Sequence, residues 1–422
     1  MRVGSEADGL GLTPNLRRIT VGAGLRAFGL SLVGPFLALY LHNVLGVGYV
    51  PIGLAIAAIG VPPLFLGGAG GLLADRIGRR RLFLLAFAIE GAAILAVGFA
   101  MEARSFVGVL VGFAVSGVAG NVGGPAIAAY VSDFTAGSMR TRAYTWQRVG
   151  WNVGFALGVS AGGGLLVLVG FAPVAWGAGT ATLVGGAYLA ATLEPSPYDV
   201  ALHTRPASPG VAPGRPGSVR QSLRILRRDT GFLLFCAAFA LADLTLAQWA
   251  VTFSLFSSGS LGLPYSLIGL GFAVNGAVVV FGQVPMTQLA IGRRHTTLAA
   301  AGVSLYIVAF LALGAAALLP SVAVAVFLVA VIVLTVGENL TSIPQTTVAS
   351  NAAPPAEIGA YNGVFGTIGG VGFLVALVLG GVVLAAVHNP LEMWAVLCAP
   401  GVPAMFLFRV AGRRLSSSSN RA

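Results

Sequence analysis

The sequence predicts an all-α membrane protein of twelve transmembrane helices, arranged as two pseudo-symmetric six-helix bundles. Three observations lead there. First, 57% of the 422 residues are apolar and only 9% are charged, whereas a soluble domain carries about 25% charged residues. So few charges cannot clothe a chain of this length in water, which excludes an ordinary soluble enzyme and a disordered chain. Second, twelve apolar stretches reach the length of about 20 residues that crosses a bilayer core. Third, the basic residues, all of them arginine, fall in alternate connections.

The chain opens with a tail, 1–16, followed by a span beginning near Ile19. That stretch is too long for a cleavable signal peptide, and no small-residue cleavage site with polar sequence behind it follows. Span 2 begins near Tyr49 and runs into a loop with Arg76, Arg79, Arg80 and Arg81. Spans 3 and 4 begin near Leu82 and Ser105, with only Met101–Arg104 between them. Spans 5 and 6 begin near Thr145 and Pro173, joined at Gly170–Pro173. The segment 194–229 changes composition: it holds six prolines, with Gly210, Gly214 and Gly217, and reads as a flexible linker. Its end, Ser218–Asp229, has the pattern of a short surface helix with Val219, Leu223 and Leu226 toward lipid. Spans 7 to 12 begin near Phe232, Tyr265, Leu298, Val322, Ile358 and Leu391, and a tail, 413–422, closes the chain. The expected six-helix bundles are therefore 17–193 and 230–412.

With the N-terminus placed in the cytoplasm, 22 of the 24 arginines fall on that side; Arg104 lies opposite and Arg26 within span 1. The positive-inside rule then puts both termini in the cytoplasm. The net charge of +11 becomes a cytoplasmic-face charge that needs no nucleic acid. The absence of lysine reflects a GC-rich prokaryotic composition, so a prokaryotic plasma membrane is the expected location. Cys236 and Cys398 lie in apolar runs, and the four histidines have no metal-ligand spacing. No cofactor is expected.

The halves repeat one another. Gly78-Arg79-Arg80 recurs as Gly292-Arg293-Arg294, Ala143-Tyr144 as Ala360-Tyr361, and Gly163-Gly164 as Gly380-Gly381, at nearly one offset. Duplicated units with a site at their interface are a construction of secondary transporters.

The loop after span 2 reads Gly71-Leu72-Leu73-Ala74-Asp75-Arg76-Ile77-Gly78-Arg79-Arg80. It resembles the G-x-L-A-D-R-x-G-R-R signature of the major facilitator superfamily at every specified position, and the twelve spans carry the resemblance over nearly the whole chain. Gly71 is expected to let span 2 pack closely, and Gly78 to permit a tight turn. The resemblance implies a central cavity lined by spans 1, 4, 7 and 10, with spans 3, 6, 9 and 12 outside. It implies that Asp75 faces the start of span 11, near Glu357–Tyr361, and that the loop arginines pair with Asp133, latching the cytoplasmic side; the competing role for the arginine cluster is only to anchor topology. In the second copy Pro285, Leu289 and Ala290 replace the Gly, Asp and Arg, so such a latch is one-sided. Gly150, Gly154, Gly158 and Gly162 stripe span 5. The stripe resembles the span 5 motif of drug–proton antiporters, though Val159 replaces its proline, and it equally suits plain close packing. Glu338-Asn339 with Pro344, then Gly359-Ala360-Tyr361, also resembles efflux members.

Charges at hydrocarbon depth cost at least about 2.5 kcal/mol, so they are functional candidates. Arg26, Asp243 and Glu338 fall on implied cavity spans and Glu90 on an outer one. Asp243 and Glu338 are the proton-carrier candidates, and Arg26 joins them as a coupling residue or as their ion-pair partner. Glu90 is left to local pairing or to a protonated position between helices. Substrate-cavity candidates are Asn121, Trp151, Asn152, Gln248, Asn275, Asn339, Tyr361 and Asn362; interhelical hydrogen bonding or packing is the competing role for each. The cytoplasmic gate motif is Gly71, Asp75, Arg76, Gly78, Arg79, Arg80 and Asp133.

The expected function is a monomeric secondary transporter in the lipid bilayer, exporting small, mainly apolar compounds in exchange for protons. A facilitator or proton symporter of a metabolite such as an organic acid is the alternative, favoured by Arg26. A transporter-like sensor is a third. A membrane enzyme would need a nucleophile with its base or a metal cluster, and an ATP-driven pump a Walker motif; the sequence offers neither.

Overall fold

The structure is a computed structural model and describes residues 13–66, 69–135, 137–204, 228–354, 357–417 and 419–421. Among these, twelve helices are long and apolar enough to cross a membrane: Pro14–Val44, Tyr49–Leu66, Arg79–Glu102, Phe106–Asp133, Arg142–Val169, Phe171–Thr192, Thr230–Gly259, Tyr265–Ala290, His295–Ala316, Pro320–Ala352, Ala360–Ala386 and Pro390–Arg414. They are spans 1 to 12 below. An isolated bridge between Arg294 and Arg421 is the sole β pairing among the described residues. Phe65, Leu168 and Phe281 stand 74%, 78% and 80% exposed, which suits a surface that meets lipid and not water.

Two short joins turn on single residues in the left-handed region: Arg104 at φ 51° between spans 3 and 4, and Gly170 at φ 78° between spans 5 and 6. Polar caps start several spans. Ser105 Oγ accepts from Gly108 N at 3.1 Å, and Asp229 Oδ1 from Phe232 N at 2.9 Å. Each cap satisfies an orphan amide of the first turn.

Chain contacts divide the molecule into two compact units, Met1–Gly34 with Ile59–Pro213, and Pro35–Ala58 with Gly214–Ala422. The end of span 1 and most of span 2 thus group with the later spans. Glycines explain this closeness. A Cβ at Gly53 would stand 2.5 Å from the carbonyl oxygen of Leu377, and one at Gly381 2.5 Å from that of Tyr49. Asn43 Nδ2 donates to Tyr265 Oη at 2.9 Å in the same unit.

In the first unit the glycine stripe of span 5 lies on the backbone of span 1. Added Cβ atoms at Gly150, Gly154, Gly158 and Gly162 would run into the carbonyls of Thr20, Gly24, Phe28 and Leu32 in turn. Both ladders advance by four residues, so the backbones meet along a ridge, with only the small Thr20 and Ser31 side chains beside it. Close packing is what the stripe does here. Beside it, Phe83, Phe87, Tyr130 and Leu189 fill the bundle interior.

Spans 1 and 7 are interrupted at related places. Span 1 tightens to a 3-10 turn at Gly34–Phe36, and span 7 does the same at Ala247–Trp249. Gly78 and Gly292 both take positive φ, 97° and 73°, in the loops after spans 2 and 8. The repeat seen in the sequence therefore extends to backbone conformation.

The segments that follow spans 6 and 12 fold back alike. The start of the expected flexible linker forms a helix, Pro197–Thr204. Its Asp199 accepts from the backbone amides of Arg79 at 2.6 Å and Arg80 at 3.3 Å, capping span 3. In the second unit the backbone oxygen of Asn420 accepts from the His295 amide at 2.8 Å, and its side-chain oxygen from the Thr296 amide at 3.0 Å, capping span 9. The surface helix expected over Ser218–Asp229 lies, apart from Arg228 and Asp229, outside the described residues.

Replacing Gly154 by Val puts methyl groups on the Gly24 backbone, where overpacking costs about 1–3 kcal/mol. The expected outcome is a lowered midpoint of thermal unfolding in detergent, with a larger drop than for Gly164→Val, whose Cβ would meet nothing within 4 Å. Equal effects would contradict the packing.

Candidate functional site

The signature loop is built around Arg79. Its guanidinium forms an ion pair with Asp133 and donates to the carbonyl of Ala129 at 3.1 Å. It also lies over the ring of Tyr198, 4.2 Å from the centroid. Tyr198 Oη donates to the backbone oxygen of Asp75 at 3.0 Å. Burial pushes the Tyr198 hydroxyl pKa up, and the Asp75 carboxylate adds to the rise, so the group stays a donor. Arg80 Nη2 reaches the carbonyl of Ala190 at 2.6 Å, while Arg76 is exposed. Among the described residues the Asp75 carboxylate forms no hydrogen bond or ion pair. Gly71 corrects an expectation: a Cβ there would meet nothing within 4 Å. Gly70 is the residue pressed against span 4, with an added Cβ 2.9 Å from the carbonyl carbon of Val122.

Deeper in the first unit, Arg26 takes Glu90 as its partner, and neither Asp243 nor Glu338. Nε donates to one carboxylate oxygen at 2.5 Å and Nη2 to the other at 2.8 Å. This side-by-side geometry is the strong form of the pair. Span 3 reaches Arg26 because span 4 presents glycine: a Cβ at Gly120 would stand 2.8 Å from Glu90 Oε1 and would overlap Arg26 Nη2. The guanidinium is held between Phe87 and Trp151, 5.6 and 5.3 Å from the ring centroids. Arg26 borders two cavities. One, of about 270 Å³, has walls that include Phe83, Phe87, Trp151, Gln147 and Arg148. The other, of about 690 Å³, is bordered by Glu90, Ser116, Gly120 and Asn121.

In the second unit Asp243 points at Gly369 of span 11, where an added Cβ would lie 3.5 Å from Oδ2. Among the described residues it forms no hydrogen bond or ion pair. Glu338 accepts from Asn275 Nδ2 at 3.1 Å, and that amide also donates to Thr335 Oγ1 at 2.9 Å.

The remaining cavity candidates divide by what holds them. Gln248 Nε2 donates to the carbonyls of Leu244 and Ala376, and its oxygen accepts from Thr252. Asn339 donates to the carbonyl of Val278 at 3.2 Å. Tyr361 is buried and donates to the Asp229 cap at 3.2 Å. Asn362 donates to Ser350 Oγ at 3.1 Å. Those four serve interhelical bonding. Asn121 and Trp151 border the first-unit cavities, and Asn152 borders neither.

Reasoning from the sequence leaves Glu90 outside the site and passes over Asp199 and Asn420. Glu90 carries a usable signal: Arg26 needs an acid at its own depth, and Glu90 is the acid well inside a span of the first half. Asp199 and Asn420 carry none, since each looks like any polar residue of a loop.

The sequence profile of the Major Facilitator Superfamily matches residues 19–377. Among curated relatives, the uncharacterized MFS-type transporters YttB and YhjO of Bacillus subtilis (strain 168) are similar. YttB is 25% identical over 372 residues, 87% of this chain and 88% of the relative. YhjO is 26% identical over 385 residues, 90% of each chain. Among solved structures, a POT family transporter in complex with 5-aminolevulinic acid superposes with a TM-score of 0.75 at 13% identity, covering 96% of both chains. At that identity the likeness is one of fold.

Asp199→Ala removes the cap of span 3, a change worth about 1 kcal/mol. Thermal unfolding is expected to show that loss, with Asp199→Asn retaining part of the cap. An unchanged Asp199→Ala protein would contradict the capping role.

Proposed function

The chain belongs to the major facilitator superfamily, and from that premise we propose that it exports small, mainly apolar compounds in exchange for protons by alternating access. It is a multi-pass membrane transporter and not an enzyme. The rest of the reading is ours: a monomer in a prokaryotic plasma membrane, both termini cytoplasmic, whose bundles 17–193 and 230–412 alternate about a central cavity.

Asp243 is the observation that carries the coupling. Among the described residues its carboxylate has no partner, and at hydrocarbon depth a lone charge costs at least about 2.5 kcal/mol. Taking a proton removes that cost, and hydration from the opposite side releases it. Occupancy by the proton therefore biases one conformation over the other. Glu338, held by Asn275, is the second carrier on the same unit. One proton moving down 100 mV supplies about 2.3 kcal/mol, enough for about fiftyfold accumulation of a neutral compound.

The first unit supports a mainly apolar substrate body. Arg26 is compensated by Glu90, and the smaller cavity beside it is walled by Phe83, Phe87 and Trp151. At the arginine-rich face, the Arg79–Asp133 pair holds the signature loop. We assign the Asp75 carboxylate to closing that face, against the start of span 11.

The test is flux in proteoliposomes with an imposed pH gradient, using hits from a thermal-shift screen. Wild type is expected to lose at least about tenfold of its concentrative flux when the gradient is collapsed. Asp243→Asn is expected to keep substrate binding and lose the gradient-driven part. Flux indifferent to both the gradient and Asp243→Asn would contradict the coupling.

A further inference from the structure

Two cavities share the Arg26 side chain, and the charges that border them do not cancel. They are Arg26, Arg148 and Glu90, so one positive charge is left over. Arg26 spends Nε and one N–H of Nη2 on Glu90. Nη1, with two N–H groups, has no acceptor among the described residues. Arg148 is exposed and likewise forms no hydrogen bond or ion pair among them. It precedes Trp151 by three residues on span 5, so the two side chains share one helix face. Arg26 and Arg148 both border the 270 Å³ cavity, whose other walls include Phe83, Phe87 and Trp151, with Gln147 as a further polar side chain.

We propose that the first unit binds organic monoanions with an aromatic or branched apolar body, the head held by the free Nη1 edge of Arg26 and the Arg148 guanidinium, the body against Trp151, Phe83 and Phe87. This assignment rests on the transport reading above and names its substrate class. A carboxylate supplies the charge that the cavity borders lack, and it accepts the hydrogen bonds that Arg26 and Arg148 have left over. Glu90 keeps the Nε edge of Arg26 occupied, so the head can approach only from the Nη1 side. The aromatic walls bury the body, and a volume of about 270 Å³ admits a single-ring acid while excluding a two-chain lipid.

The experiment is calorimetric titration of the full-length protein in detergent, with benzoate, 3-phenylpropanoate and 4-methylpentanoate, each beside its amide. The acids are expected to bind at least about tenfold more tightly than the amides, the size of one charge-assisted hydrogen bond. Arg148→Gln, at an exposed position where folding is safe, is expected to bring acid affinity down to that of the amide. Arg81→Gln, exposed and bordering neither cavity, removes the same charge elsewhere and is expected to bind the acids as wild type does. Acids and amides of equal affinity, acid binding untouched by Arg148→Gln, equal losses in the two variants, or no acid binding at about 10 mM would each overturn the proposal. No gradient is present, so the outcome separates from the coupling test. Acid binding without proton-driven flux retires the coupling alone, and proton-driven flux of neutral compounds without acid preference retires this proposal alone.

Discussion

The carboxylate of Glu90 and the guanidinium of Arg26 meet within the spans of the first unit, where either charge alone would be expensive. Much of that unit is arranged so that they can meet. Gly120 leaves span 4 open for the contact. The glycine ladder of span 5 draws span 1 close, and Phe87 and Trp151 hold the guanidinium from two sides. The pair leaves one positive charge compensated and another, at Arg148, without a counter-charge at the cavity border. Apolar walls and a surplus positive charge therefore coexist in one small space.

The second unit solves the same membrane problem differently. Glu338 is met by the amide of Asn275, which also reaches Thr335. Asp243 is left with no partner among the described residues. The asymmetry sits on a scaffold that is otherwise repeated, with interrupted spans 1 and 7, left-handed Gly78 and Gly292, and returning segments that cap spans 3 and 9. On the reading proposed above, a duplicated frame with unlike charges in its spans lets one half specialise in recognition and the other in proton exchange.

The fold was legible because a bilayer imposes length and polarity on each span, and the arginines mark the loops between them. Even the joins at Arg104 and Gly170 follow from the sequence, since each is a break of a few residues. The site was legible only in part. Sorting spans into cavity-lining and outer helices assigns Glu90 to the outside, because that rule ignores a neighbouring helix with no side chain at Gly120. Treating amides as cavity residues overcounts, because Gln248, Asn339 and Asn362 spend hydrogen bonds on other helices. The caps from Asp199 and Asn420 are long-range contacts made by short polar residues, and no local pattern announces them.

A double-mutant cycle of Arg26→Gln and Glu90→Gln tests the pair on which the first unit depends. Each single variant leaves a buried partner uncompensated, so unfolding in detergent is expected to show a loss of about 3 kcal/mol or more for each. The double variant is expected to be more stable than either, because two amides leave no charge stranded. Losses that simply add would contradict the pair as the anchor of this unit.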